Sequence, residues 1–165
     1  MKELIVFRHG KSSWDAPAAS DHERPLARRG REAVPAMGRR LLERGTVPQR
    51  IVTSDAVRAR DTAVALAEAL DLDIGVVLPE PRLYTGYDDD VLAAVTRLDD
   101  AYDRIAIVGH NPSLQDFLRT AAGLELEKFP TAAVAHLRFP VDRWADVRPD
   151  SGEVVDYDYP GSGRG

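Results

Sequence analysis

Apolar residues along the chain fall into short uninterrupted runs separated by stretches of helical period. Leu4, Ile5, Val6 and Phe7 form a run rich in β-branched and aromatic side chains, which predicts a strand buried on both faces. Residues 50–53, centred on Ile51 and Val52, predict a second strand, residues 73–78 a third closed by Pro79, and residues 105–108 a fourth. Between them lie helical patterns. Residues 30–44 carry one that Pro35 interrupts, so that helix is expected to bend or start late. Ser54 and Asp55 supply N-cap chemistry for a helix through Leu70, with Val57, Ala63, Val64, Ala67 and Leu70 at its spacing. Residues 88–101 and 113–122 predict two more helices. Beyond Gly123, residues 132–139 read as a strand at a sheet edge and Trp144 as an aromatic anchor in a turn.

Strands alternating with helices of this length predict parallel βαβ units. The expected fold class is α/β, a three-layer αβα sandwich with a mostly parallel central sheet. One domain is expected over residues 1–149, with 150–165 a weakly ordered C-terminal tail of Gly, Ser and Pro-rich composition.

Composition narrows the function. With 44% hydrophobic and 30% charged residues over 165 positions, the chain is an ordinary globular sequence large enough for one real core. A net charge of -5 argues against a nucleic-acid partner, which needs clustered excess Lys and Arg. No cysteine is present, which rules out disulfides, a thiol nucleophile and cysteine-ligated zinc. The apolar run ending at Phe7 is too short for a signal peptide, and no run approaches the roughly 20 residues that span a bilayer. A cytoplasmic monomer without membrane contact is expected.

Two of the predicted strands run directly into a histidine: the first into Arg8-His9-Gly10, the fourth into Gly109-His110-Asn111. Ligands of open parallel sheets bind outside the carboxyl ends of the strands, so both motifs are expected at one rim, with Arg58 facing it from the start of the helix after the second strand. Guanidinium binds phosphate oxygens bidentately, and two of them in one pocket suit a dianion. A neutral imidazole can attack phosphorus at cytoplasmic pH without a metal. A single histidine after a strand is more often structural, and His22 and His136 are read that way; the composite carries the argument.

The stretches LIVFRHG (4–10), SDAVRARDTA (54–63) and VGHNP (108–112) resemble, in order and spacing, the signatures of the histidine phosphatase superfamily, which also contains the cofactor-dependent phosphoglycerate mutases. Lys11 to Asp15 (KSSWD), Asp21 to Leu26 (DHERPL), Arg29-Gly30 and Leu83-Tyr84, with the short length, are similar to the SixA-type phosphohistidine phosphatase branch. The resemblance implies a phosphoglycerate mutase-like fold and a covalent phosphohistidine on His9. It also implies that Arg8, Arg58 and His110 hold the phosphoryl oxygens; Gly10, Lys11 and Ser12 are further substrate-binding candidates. It implies no cofactor and no metal, and the Asp88-Asp89-Asp90 run reads as a solvated helix start.

Two departures concern the general acid. Asp15 stands where mutase-type members place Asn, and Thr85 stands where a Leu-Tyr-Glu form has Glu. Asp15, Asp21 and Glu80 remain candidate acids, although each taken alone is more often structural than catalytic. A weak or absent acid favours a phosphoramidate, because imidazole leaves more easily than an alkoxide. The expected partner is therefore a phosphohistidine-bearing protein. A small phosphate ester is the alternative, with mutase activity and a non-catalytic phosphate-binding module behind it. Trp14, Leu26 and Tyr84 are expected at the rim, Trp14 with its ring buried in packing.

Overall fold

The computed structural model describes residues 1–15, 20–84 and 86–164. Expectations placed on Ala16, Pro17 and Thr85 lie outside the described residues. Strands β1 (Lys2–Arg8), β2 (Arg50–Thr53), β3 (Val77–Pro79) and β4 (Arg104–Gly109) are parallel, and β5 (Val134–Phe139) and β6 (Glu153–Asp158) are antiparallel. They form one sheet in the order β3-β2-β4-β1-β5-β6. Among the described residues four α-helices cover it: α1 (Arg28–Glu43), α2 (Val57–Ala69), α3 (Asp88–Val95) and α4 (Ser113–Ala122).

Alternation along β1 explains its continuous apolar run. Ile5 and Phe7 point to one face, against Val34, Met37 and Leu41 of α1 and Ala59, Ala63 and Leu66 of α2. Leu4 and Val6 point to the other, against Val91 and Val95 of α3 and Leu114, Phe117 and Leu118 of α4. Both faces are dry, which is the three-layer α/β sandwich, and each large apolar side chain so buried contributes about 1.5–3 kcal/mol.

Several elements differ in extent from the sequence pattern. The first helix starts at Arg28 and continues through Pro35; burial of Val34, Met37 and Leu41 offsets the lost hydrogen bond. The expected third strand is only Val77–Pro79, because the Asp73 carboxylate accepts from Gly75 N–H at 2.7 Å and winds Ile74–Val76 into a 3-10 turn. The helix expected to reach Ala101 ends at Val95, and Asp99 then accepts from Ala101 N–H at 2.9 Å, offering the backbone an alternative to the helix. β6 lies inside the stretch read as a weakly ordered tail. Asp158 at its end has a fully buried side chain that Arg40 and Arg44 reach at 3.2 and 3.3 Å, so ion pairs add to the pairing with β5 and to the packing of Val154 and Tyr157 on the core.

The sheet order brings three strand ends together, because β4 is inserted between β2 and β1. Arg8 lies opposite Gly109 and Thr53 opposite Val108. Immediately beyond, His9 N–H donates to the Gly109 carbonyl at 3.1 Å and Ser54 N–H to the Val108 carbonyl at 2.9 Å. The loop leaving β1 then presses against α1: a Cβ on Gly30 would lie 2.4 Å from the Lys11 carbonyl oxygen, and one on Gly10 would lie 3.1 Å from the Gly30 Cα. Glycine at both positions permits that approach.

Candidate active site

A pocket of about 620 Å³ opens at this rim, lined among others by Arg8, His9, Arg24, Arg58, Tyr84 and His110. His9 is 6% exposed. Its Nδ1 lies 2.6 Å from the Gly10 carbonyl oxygen, which can only accept; Nδ1 therefore carries the proton and Nε2 keeps its lone pair. Burial, joined by the guanidiniums of Arg58, Arg8 and Arg24 and opposed by the Gly10 hydrogen bond, pushes the ring down to about 4. His9 is thus neutral at pH 7.

His110 lies beside it, ring centroids 4.9 Å apart. Its Nε2 is 2.8 Å from the Ser54 hydroxyl, and that hydroxyl oxygen also accepts from Ala56 N–H at 3.2 Å. A hydroxyl has one proton and two lone pairs, so the Ser54 oxygen can accept from the amide and still bond the ring, and it holds His110 through Nε2 in either tautomer. Burial first, then the positive surroundings that include Arg58 and Arg8, holds His110 at about 3.

The two arginines come from different elements. Arg8 donates from Nη1 to the Phe129 carbonyl at 2.9 Å. Arg58, at the second position of α2, donates from Nη1 to the Asp21 carbonyl at 2.8 Å and from Nη2 to the Asp21 carboxylate at 3.0 Å. The Nε of each is buried without a hydrogen-bond partner in the described structure. Buried guanidinium nitrogens without partners are costly, and an oxyanion satisfies them. Thr62, one turn beyond Arg58, donates to the Arg58 carbonyl at 2.7 Å and accepts from Gly10 N–H at 3.0 Å, fixing the loop after β1 to the helix.

Not every expected site residue joins the pocket. Lys11 and Ser12 line it, whereas Gly10 does not: its amide is bound to Thr62 and its role is close packing against Gly30. Of the three candidate acids only Asp21 lines the pocket. Burial acts to raise its carboxyl, but hydrogen bonds from Tyr84, Arg58 and Arg24 outweigh that and hold it at about 2, so it is ionised and has no proton to give. Glu80 instead pairs with Arg82 at 2.8 Å, and Asp15 is exposed outside the lining. Trp14 is not buried in packing as expected. It is 79% exposed, with one face against Arg24, whose guanidinium carbon is 3.5 Å from the ring centroid. The loop lies over the pocket rather than over the core, so the ring finds a cation instead of apolar neighbours. His136 stays outside the site, on Glu3 at 2.7 Å, but His22 reaches its second ring, edge-on to Tyr84 at 4.8 Å between centroids.

Arg24 and Thr62 were not among the expected site residues, and Ser54 was expected only as N-cap chemistry. Thr62 was findable, four residues after Arg58 on one helix face. Arg24, which donates to Ser12 Oγ at 2.9 Å and to Asp21 at 3.1 Å, had no periodic signal.

The model of the histidine phosphatase superfamily, branch 1, matches residues 4–83. An uncharacterised protein of Mycobacterium tuberculosis strain H37Rv is 31% identical over 164 residues, covering 93% of this chain and 99% of its own. The chain belongs to the histidine phosphatase superfamily. Among solved structures, the phosphatase superposes on a Nakamurella multipartitia protein assigned as a phosphohistidine phosphatase, SixA, with a TM-score of 0.77 and 28% identity over 98% of this chain and 97% of that one. It also matches the protein histidine phosphatase SixA solved with tungstate, with a TM-score of 0.79 and 23% identity over 96% and 97% of the two chains. This histidine phosphatase therefore shares the phosphoglycerate mutase-like fold and is of the SixA type. Among the described residues no helix is long and apolar enough to cross a membrane.

Proposed function

We propose that this phosphatase removes the phosphoryl group from phosphohistidine in proteins, without a metal, through a covalent intermediate on His9 Nε2. The observation that carries the reading is the bond from His9 Nδ1 to the Gly10 carbonyl at 2.6 Å, which leaves a neutral imidazole with its Nε2 lone pair available. Arg8 and Arg58 supply the fixed positive charge that a loose phosphoryl-transfer transition state needs on its equatorial oxygens, and the neutral His110 ring stands beside His9 as a further polar group. A SixA of the same fold was solved with tungstate, a tetrahedral oxyanion, which supports an anion-binding rim.

In the first step Nε2 forms a bond to phosphorus as the P–N bond of the substrate breaks. When the far nitrogen of the substrate ring carries a proton, the electron pair returns to that ring and imidazole leaves neutral. No enzyme acid is consumed, which fits a pocket whose carboxylate, Asp21, is ionised. One imidazole replaces another, so the transfer is nearly symmetric. Water then attacks phosphorus, the P–Nε2 bond breaks, both water protons leave with inorganic phosphate, and His9 regains its neutral form. An alkoxide leaving group would need the proton that this site lacks, which favours phosphoramidates over phosphomonoesters.

The test is a substrate panel of a phosphohistidine protein, a phosphoserine peptide and common sugar phosphates, each with and without EDTA. Phosphohistidine turnover at least tenfold above the esters, unchanged by chelation, is expected. Strict dependence on a divalent ion, or preference for an ester, contradicts the reading.

A further inference from the structure

A second groove of about 530 Å³ adjoins the phosphate pocket, and Lys11 and Thr131 belong to the lining of both. Its far wall is the first turns of α1, where Arg29 and Ala33 sit, and its remaining sides are Pro130 and Pro160. Pro160 is held there by the residues around it. The buried Asp158 carboxylate is fixed by Arg40 and Arg44 and accepts from Ser162 Oγ at 2.7 Å, so the segment after β6 is tied to α1 on both sides of the proline.

The electrostatics of this groove run against those of the whole chain, whose net charge is -5. Glu32 also lines it, but its carboxylate is paired with Arg28 at 3.1 Å. Lys11 and Arg29 are exposed, and neither side chain makes an ion pair or hydrogen bond among the described residues. Two uncompensated cations above walls of proline and alanine suit a polypeptide that carries a carboxylate over apolar stem atoms.

We propose that the phosphate pocket continues into a peptide groove, in which Arg29, with Lys11, receives an acidic side chain flanking the phosphorylated residue of the protein substrate. This rests on the phosphohistidine reading and adds to it a sequence preference. Cationic rims of this kind select by charge complementarity and lose their effect as salt screens them.

The experiment compares phosphohistidine peptides flanked by Glu, Gln or Lys, with inorganic phosphoramidate as the substrate that has no flank. For the wild type, kcat/KM should favour the Glu-flanked over the Lys-flanked peptide by roughly tenfold at low salt, shrinking in high salt. Arg29→Glu should reduce the preference to parity or reverse it while leaving phosphoramidate turnover unchanged. Arg39→Glu, the same charge change further along α1 on an exposed residue, should keep the preference. Indifference of the wild type to flanking charge, or equal loss in the two variants, overturns the groove and leaves the phosphohistidine reading standing. Turnover of phosphoramidate with none of the peptides overturns both.

Discussion

Ser54 and His110 are 56 residues apart in sequence and meet at 2.8 Å, because β2 and β4 end side by side. The hydroxyl holds the His110 ring through Nε2. Ser54→Ala removes that anchor and leaves Ala56 N–H without its acceptor. We expect kcat to fall about tenfold with KM changed less than twofold, and a loss of roughly 1 kcal/mol in stability. Steady-state kinetics alongside a thermal melt check this; an unchanged kcat would show that the Ser54 anchor on His110 does not matter to turnover.

Asp21 occupies both Nη groups of Arg58, with its carbonyl and its carboxylate. If it were the general acid, Asp21→Asn would stop turnover. On the present account the substitution removes a negative charge from an anion pocket. Phosphohistidine turnover should stay within about threefold, and KM and the inhibition constant for inorganic phosphate should fall. A loss of kcat by about 10² or more would restore Asp21 to a proton-donating role.

The neutral state of His9 has a direct titration signature. Its folded pKa of about 4 lies below the reference of 6.5, so the unfolded chain binds more protons between those values. Stability from this residue is complete above about pH 6.5 and is lost as pH falls toward 4, and His110, held at about 3, acts in the same direction. In a proton NMR titration the His9 ring signals should not shift between pH 8 and about 5. A midpoint near 6.5 would mean that the ring is not desolvated as described.

The strand-end histidines and the αβα architecture were legible in the sequence because a strand buried on both faces leaves an unmistakable apolar run. The parallel topology then dictates which ends share a rim. Arg58 was legible through its place at a helix start. Arg24 and Trp14 were not, since a cation stacked on an exposed ring is a pairing between loop residues with no periodicity. β6 was hidden for a related reason: Asp156, Asp158 and the surrounding glycines and serines look like solvated tail, and their partners, β5 and the arginines of α1 more than a hundred residues earlier than the aspartates, are set by the tertiary fold. The sequence left the acid open among Asp15, Asp21 and Glu80, because an isolated Asp or Glu says nothing about which carboxylate is already tied to a guanidinium.

The central claim is that His9 accepts the phosphoryl group on Nε2, and the most direct measurement is the position of the adduct in enzyme quenched with alkali during turnover. Phosphorus NMR of the intact adduct, followed by peptide mapping, should find one acid-labile, alkali-stable phosphoryl group on His9 Nε2. Nδ1 is engaged with the Gly10 carbonyl and should carry none. His9→Ala should show no adduct and no turnover, whereas His110→Ala should retain the adduct with turnover reduced about 10²- to 10³-fold. An adduct on Nδ1, on His110 or on a carboxylate, or full activity in His9→Ala, would contradict the account.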